Sequence, residues 1–193
     1  MGNLRVIGGS AKGIRLKTVP GETTRPITDL VKEALFNILG DEIINNYVLD
    51  LFGGTGAVGI EALSRGAASA TFLDTSWQAV KVIRENLQAT HLTPKATVLH
   101  QDAFTFLAAP TSESFDLIYI APPQYKELWQ KAMQLLDLHP QLLSQTGQII
   151  VQINPLEWVE NAYAHFVEFD RRKYGDTLLV FFEKPQSSND IMS

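Results

Sequence analysis

An apolar run that ends in a glycine-rich turn is the feature that most constrains the fold of this chain. Residues 48–52 are apolar apart from Asp50, and three glycines follow within four positions. Such a run predicts a buried parallel strand that feeds a helix, here 57–65, which ends before Gly66. Glycine permits a tight turn and the close approach of a ligand, and the free amides at the start of the helix would face that ligand.

The glycine spacing by itself leaves the class of nucleotide ligand open. Gly54, Gly56 and Gly59 stand at the first, third and sixth positions, as in a dinucleotide-binding turn. Asp50 favours a different ligand, because a carboxylate inside the strand can accept a hydrogen bond from an ammonium group or a water beside the ligand. The run resembles the first motif of class I S-adenosylmethionine enzymes. That resemblance implies S-adenosylmethionine as the cofactor, held by Asp50, Gly54 and Gly56. A turn that binds no ligand is the other alternative, but it would leave a buried acid without a partner, which is costly.

The composition limits what kind of protein this chain can be. A chain of 193 residues that is 45% hydrophobic has the size and the apolar content of one domain. Cysteine is absent, which excludes disulfides and thiolate metal sites, and the four histidines lack the spacing of metal ligands, so no metal is expected. No apolar run reaches membrane-spanning length and no signal peptide opens the chain. These features predict a soluble cytoplasmic protein, or one that is processed in an organelle, and we expect a monomer.

Strand and helix patterns alternate from residue 47 onwards. Beyond the first unit, strands are predicted at 69–74, 96–102, 115–120, 147–153, 166–169 and 177–183, and helices at about 28–39, 76–89, 104–107 and 127–138. Thr28 is the expected N-cap of the first of these helices. Residues 171–175 are expected to connect the last two strands. Repeated strand–helix units predict a parallel sheet with helices on both faces.

Polar residues gather at the predicted carboxyl ends of the strands, where sheets of this kind bind ligands. Asp74 ends the second strand about twenty residues beyond the glycine turn, a position from which an acid can bind both ribose hydroxyls. Asp102 ends the third strand and could contact an adenine amine. Each acid could instead cap the helix that follows it, and for Asp74 the two roles are compatible.

The first 26 residues are basic although the whole chain carries a net charge of −5. Residues 4–7 and 14–17 alternate apolar and polar side chains and are separated by glycines, which predicts a β-hairpin. A basic arm on an acidic body can steer a polyanion to one face, whereas an ordinary solvated hairpin is the alternative. The cations against a single acid, Glu22, are Arg5, Lys12, Arg15, Lys17 and Arg25.

The exit of the fourth strand, residues 121–125, resembles the motif of amino-methyltransferases, in which Asp or Asn precedes Pro-Pro and an aromatic residue. That motif holds a planar base by stacking and accepts hydrogen bonds from its exocyclic amine. The resemblance implies a catalytic role for Pro122, Pro123 and Tyr125 in aligning a base. The chain departs from the motif twice, because Ala121 stands at the catalytic acid or amide position and Gln124 displaces the aromatic residue by one place.

A wider resemblance, to the RsmD family, runs from Leu4 to about Glu183. It is carried by the sequence at 5–9, by Gly13 and Leu16, by 25–36, and by the run at 61–66. That family methylates N2 of a guanine in small-subunit (16S) ribosomal RNA. The resemblance implies an α/β, Rossmann-like class I methyltransferase fold. Its sheet is seven-stranded and mostly parallel, with an antiparallel final strand, helices on both faces and a small N-terminal β-hairpin.

The RsmD resemblance also implies partners and a division of the chain. The partner would be small-subunit ribosomal RNA or the assembling subunit, bound through the five cations of the arm. Thr28 would border the cofactor. The predicted units are an RNA-binding arm at 1–26, a methyltransferase domain at 27–184 and a disordered tail at 185–193. Three alternatives stay open: a methyltransferase with another substrate, a non-catalytic RNA-binding or ribosome-assembly protein, and a nicotinamide-dependent oxidoreductase.

Overall fold

The structure is a computed structural model that describes residues 4–21, 27–109 and 112–186. Its helices and strands, in chain order, are α1 (Asp29–Leu39), β1 (Tyr47–Asp50), α2 (Ala57–Ser64), β2 (Ser69–Asp74), α3 (Trp77–Ala89), β3 (Ala96–His100), α4 (Ala103–Ala108), β4 (Phe115–Ile120), α5 (Leu128–Leu138), β5 (Leu143–Ile153), β6 (Val167–Tyr174) and β7 (Thr177–Glu183). Short 3-10 turns lie between several of these elements.

The strands form one seven-stranded sheet in the order β3-β2-β1-β4-β5-β7-β6. Strands β1 to β5 pair in parallel, and β7 runs antiparallel to both β5 and β6. The predicted mostly parallel sheet with an antiparallel final strand is therefore confirmed. Strand order reverses between β1 and β4, and such a switch point is where open α/β sheets bind their ligands.

Helices cover both faces of the sheet, and each face has its own apolar core. Alternate strand residues point to opposite faces, so Val48 and Leu117 belong to one core while Leu49 and Ile118 belong to the other. Buried residues of α1, α2 and α3 complete the first core, and those of α4 and α5 complete the second. Within the described ranges, no helix combines the length and apolar character that a membrane span requires.

Within residues 4–21 the N-terminal segment contains a single β-bridge, between Arg5 and Arg15, instead of two full strands. Hydrogen bonds on either side of the bridge hold the segment in a hairpin, with the Val6 amide donating to the carbonyl of Ile14 at 2.9 Å. Pairing stops early because the next amides, of Ile7 and Gly8, donate to a side chain of α2. Leu4, Val6 and Leu16 are buried in the first core.

The connection predicted at 171–175 is wrong, because β6 continues to Tyr174. The turn is reduced to two residues, between Tyr174 and Thr177, and Gly175 adopts a left-handed conformation with φ of +58°. Charged side chains made these positions look like a loop, but β6 is an edge strand of the sheet and edge strands commonly carry charge. Arg171 and Arg172 form ion pairs with acids of their own strand.

Candidate functional site

The glycine turn after β1 is locked onto the neighbouring strand. The Gly53 amide donates to the carbonyl of Leu73 in β2 at 2.7 Å. Gly54 and Gly56 have φ of +52° and +76°, a region that residues with a Cβ atom rarely adopt. A Cβ on Gly56 would also lie 3.2–3.3 Å from side-chain atoms of Ile60 and Ile83. The backbone therefore requires glycine here, and the turn presents the start of α2 at the carboxyl edge of the sheet.

Asp74 lies beside this turn, at the end of β2. One carboxylate oxygen accepts from the Gly54 amide at 2.9 Å, and the other accepts from the Ser76 amide at 2.8 Å. Ser76, not Asp74, is the N-cap of α3, since its hydroxyl accepts from the Ala79 amide. The structure thus brings two predicted cofactor residues, Gly54 and Asp74, into direct contact.

Asp50 lies at the end of β1 with only 2% of its surface exposed. Burial raises the pKa of its carboxyl group to about 7, and the charge of Asp74 adds to this effect. Hydrogen bonds from the amides of Phe52 and Gly59 act in the opposite direction. Within the described residues its Oδ1 atom has no hydrogen-bond partner. A buried acceptor without a partner at the ligand edge of the sheet is suited to a donor that arrives with a ligand.

Tyr119 stands opposite Asp50 in the pairing of β1 with β4. Its hydroxyl donates to the side-chain oxygen of Gln152 in β5. Burial raises the pKa of Tyr119 well above its ordinary value, and the charge of Asp50 contributes. The phenol therefore remains a neutral donor, and it forms part of the polar surroundings of Asp50.

Asp102 and Thr28, the other predicted cofactor residues, both cap helices. Asp102 accepts from the Thr105 amide at 2.8 Å at the start of α4, and Thr28 accepts from the Val31 amide at 3.3 Å at the start of α1. The predicted N-cap role of Thr28 and the capping alternative for Asp102 are confirmed. A contact of either residue with the cofactor stays a prediction.

The loop after β4 carries the predicted catalytic residues. Ala121 is half-buried and packs against the first core, and Pro122 is buried. Tyr125 is 65% exposed and has a left-handed backbone with φ of +61°. Its amide donates to the Glu157 carboxylate, in the segment after β5, at 2.7 Å. An exposed aromatic residue thus lies in the loop that follows β4, the parallel neighbour of the strand that ends at Asp50.

Four of the five predicted RNA-binding cations are described, and all four are exposed. Arg5 pairs with Asp29 at 3.3 Å and Lys17 pairs with Glu85 at 2.9 Å. Lys12 and Arg15 form no ion pair within the described part of the chain. Arg25 lies outside the described residues.

Glu61 in α2 anchors the hairpin, a role that sequence reasoning missed. Its carboxylate accepts from the amides of Ile7 and Gly8, both at 2.8 Å, and pairs with Lys32 at 3.2 Å and Arg65 at 2.8 Å. Glu61 and Lys32 are fully buried. Burial lowers the pKa of Lys32, and the charge of Glu61 opposes that shift. Four donors around one buried carboxylate fix the hairpin against α1 and α2.

Asn86 in α3 makes a second connection, and no chemistry is predicted for it from the sequence. Its side-chain oxygen accepts from the Lys17 amide at 2.8 Å, and its side-chain nitrogen donates to the Lys17 carbonyl at 3.1 Å and to the Thr55 carbonyl at 2.9 Å. One buried amide therefore ties the basic arm to the glycine turn. An asparagine at a core-facing position of an amphipathic helix is the signal that could have indicated such a role.

Comparison with known proteins decides the family. The profile of the family described as "Conserved hypothetical protein 95" matches residues 4–183. The chain belongs to this family. Its relatives include "Putative rRNA methyltransferase YlbH" of Bacillus subtilis, 38% identical over 94% of this chain and 99% of that protein. "Ribosomal RNA small subunit methyltransferase D" of Escherichia coli is 36% identical over 70% of this chain and 68% of that protein. These relatives confirm the resemblance to the RsmD family.

Solved structures of similar sequence share this fold. The solved structure of "Putative methyltransferase yhhF from Escherichia coli" is 30% identical and superposes with a TM-score of 0.83 over 95% of this chain and 98% of that one. The chain is thus a class I methyltransferase, and S-adenosylmethionine is its cofactor. Family membership leaves the nicotinamide-dependent alternative without support.

The residues at the carboxyl edge fit this cofactor. The buried, unpartnered Oδ1 of Asp50 matches an ammonium donor. The Gly54–Gly56 turn allows a close approach, and the Asp74 oxygens each retain a lone pair for ribose hydroxyls. Among the described residues, no group of three or more His, Cys, Asp or Glu is arranged to hold a metal ion.

Proposed function

We propose that this protein methylates the exocyclic N2 amine of a guanine in small-subunit (16S) ribosomal RNA. The substrate class, ribosomal RNA, follows from relatives such as the Ribosomal RNA small subunit methyltransferase D proteins of Escherichia coli and Haemophilus influenzae. The observation that carries the proposal is a pair of adjacent strand ends. The acid and glycine turn follow β1, and the loop with Pro122, Pro123 and Tyr125 follows β4. A ribosomal substrate also favours a cytoplasmic location.

Alignment is the main catalytic task of the chain. The cofactor, when bound, supplies an electrophilic methyl group whose leaving group is a neutral thioether, so little acid catalysis is needed. The protein must hold the amine nitrogen in line with that group. Tyr125 supplies an exposed ring on which the base can stack, which contributes about 1–3 kcal/mol. The rings of Pro122 and Pro123 restrict the backbone of the loop and so fix where the base is held. The Pro122 carbonyl can accept a hydrogen bond from the target amine.

Ala121 removes the side-chain acceptor that related motifs carry at this position. A hydrogen bond to a charged group contributes roughly 1.5–3 kcal/mol, so its loss from the transition state slows transfer by about 10- to 150-fold. The result is a slower enzyme rather than an inactive one, because the proline carbonyl and the stacking ring remain. The exposed side chain of Gln124 is a candidate for the replacement acceptor.

The direct test is transfer of a labelled methyl group to small-subunit RNA that lacks the modification, both naked and assembled into particles. We expect N2-methylguanosine after nuclease digestion, and a single modified position. Ala121→Asp should preserve or raise turnover, whereas Gln124→Ala should lower it if Gln124 supplies the acceptor. Label in another nucleoside would refute the guanine-N2 assignment while leaving RNA methylation in place.

The non-catalytic alternative draws its support from Ala121 alone. A protein that kept the fold and lost the chemistry would bind S-adenosylmethionine and RNA but transfer nothing. Absence of transfer by the wild type and by Ala121→Asp, on RNA and on particles, with cofactor binding intact, would favour that alternative.

A further inference from the structure

The carboxylate of Glu157 joins two strand-end loops at the proposed target-base site. Its Oε1 atom accepts from the Tyr125 amide at 2.7 Å, and its Oε2 atom accepts from the Asn154 amide at 3.0 Å. Tyr125 lies in the loop after β4 and Asn154 directly follows β5, and these strands are parallel neighbours. One side chain therefore fastens the Tyr125 loop to the adjacent strand end.

The backbone at Tyr125 needs such a contact. Tyr125 and Glu127 have φ of +61° and +54°, and non-glycine residues keep left-handed conformations only where their surroundings hold them. Packing of the Tyr125 side chain supplies little of this constraint, because the residue is 65% exposed. The hydrogen bond from its amide to Glu157 acts at the residue whose conformation must be held.

The segment that carries Glu157 is itself held by several contacts. Glu157 closes a capping box with Asn154, whose side chain accepts from the Leu156 amide at 2.9 Å. The next residue, Trp158, stacks on the buried Trp129 of α5 with ring centroids 5.7 Å apart. The guanidinium group of Arg171 in β6 also lies over the Trp158 ring, 4.0 Å from its centroid. The position of the carboxylate is thus fixed from the sheet, from α5 and from β6.

We propose that Glu157 is a positioning residue for methyl transfer, which fixes the Tyr125 loop so that the ring lies where the target base stacks. This inference rests on the proposed function. The role requires a carboxylate at position 157, because both of its oxygens accept from N–H groups. An amide would satisfy one of these donors and turn its own NH₂ group towards the other.

Steady-state kinetics provide the first test. Glu157→Gln, which keeps the shape of the side chain, should lower kcat for RNA by about ten-fold or more, since small misplacements of substrate-positioning groups are costly in rate. The KM for S-adenosylmethionine should stay within two-fold, because Asp50 and Asp74 are untouched. Glu160→Gln is the matched control: it makes the same change of charge three residues away, on an exposed side chain, and should leave both constants unchanged. A kcat of Glu157→Gln within two-fold of the wild type would overturn the proposal.

A double-mutant cycle tests whether Glu157 acts through the ring. In a Tyr125→Ala background the ring to be positioned is absent, so adding Glu157→Gln should reduce kcat by less than two-fold further. Effects of the two substitutions that multiply independently would show that Glu157 does not act through Tyr125.

Amide hydrogen exchange, measured without RNA or cofactor, separates this inference from the proposed function. The Tyr125 amide should exchange about ten-fold faster in Glu157→Ala, which removes both acceptor oxygens, than in the wild type and in Glu160→Ala, while amides of β4 keep their protection. Equal exchange in all three proteins would overturn the inference alone. Protection of the Tyr125 amide in a wild-type protein that methylates no RNA would refute the proposed function, and the catalytic role of Glu157 with it.

Discussion

Asp50 is held in surroundings that oppose its own charge. Its carboxyl group has a pKa of about 7 in the folded protein, against 3.8 ordinarily, because burial disfavours the anion. Between these two values the folded state binds a proton that the unfolded state has lost. The free energy of unfolding therefore falls as pH rises from about 4 to about 7. A cofactor ammonium beside Oδ1 would offset this penalty. Asp50 therefore lowers the stability of the cofactor-free protein and raises its affinity for the cofactor.

Asp50→Asn separates these two effects. The amide cannot ionise, so above pH 7 the free variant should be more stable than the wild type in chemical denaturation. Affinity for S-adenosylmethionine should fall by about 10- to 150-fold at that pH, the equivalent of one charge-assisted hydrogen bond. Wild-type affinity, measured by calorimetry, should increase as pH rises towards about 7, and the variant should lack this increase. Equal affinities at all pH values would contradict a contact between Asp50 and the cofactor.

Residue roles could be predicted from the sequence where the contact is local or where a motif marks it. Thr28 caps α1 three residues away, and Asp50 and Gly54 stand in a recognisable strand–turn pattern. The partners of Glu157 and Glu61 lie 32 and 54 residues away along the chain, at Tyr125 and Ile7. Nothing in the sequence near those acids specifies such contacts, because they form only when the sheet brings distant loops together.

At the scale of elements, the N-terminal hairpin is held firmly although it pairs through one β-bridge. Ser64 reinforces Glu61, since its hydroxyl donates to the Gly8 carbonyl at 2.6 Å and accepts from the Ala11 amide at 2.9 Å. With the backbone fixed in this way, Lys12 and Arg15 are presented to solvent without ion pairs in the described part of the chain. These two side chains are therefore free to contact phosphates.

Removing those two charges should weaken RNA binding and its dependence on salt. The double variant Lys12→Gln/Arg15→Gln should lower the slope of log affinity against log salt by roughly 1–1.5, at about 0.7 for each single-strand phosphate contact. Lys95→Gln/Lys173→Gln removes the same charge from exposed positions away from the hairpin and should leave the slope unchanged. Binding measured from low to moderate salt gives the slope. The same slope in wild type and hairpin variant would mean that the cations are only solvated.

Elements with strong apolar periodicity could be predicted from the sequence, and elements governed by their neighbours could not. The bounds of β2, β4 and β7 agree with their predicted ranges. The charged residues of β6 give no strand pattern, because an edge strand meets fewer neighbours and needs fewer apolar side chains. The start of β5 at Leu143 was missed for a related reason, since residues 144–146 are polar and β7 pairs only with the later part of the strand, from Gln148 to Ile153.

In the whole molecule, the arm and the cofactor turn are one connected unit. Asn86 bonds both to Lys17 of the arm and to the Thr55 carbonyl of the turn, and Ile83 of the same helix packs against Gly56. Hairpin side chains such as Val6 lie in the same core as α1 and α2. A ligand that orders the glycine turn should therefore also order the arm, which links cofactor binding to the proposed RNA surface.

Ligand-induced stabilisation measures this link. S-adenosylhomocysteine, the product left after methyl transfer, should add about 2.7 kcal/mol at a hundred times its Kd, which raises Tm by roughly 5–10 °C. Exchange of the Leu16 amide, which donates to the Leu4 carbonyl within the arm, should slow at the same time.

Asn86→Ala should keep most of the Tm increase but lose the slowing at Leu16, because its bonds to the turn and to the arm are gone. Ser64→Ala is the matched control, since it removes arm contacts that do not involve the turn; the arm should then exchange faster in the free protein and still respond to ligand. If Leu16 responds equally in Asn86→Ala and in the wild type, the arm and the turn are ordered independently, and RNA affinity should then be unaffected by cofactor.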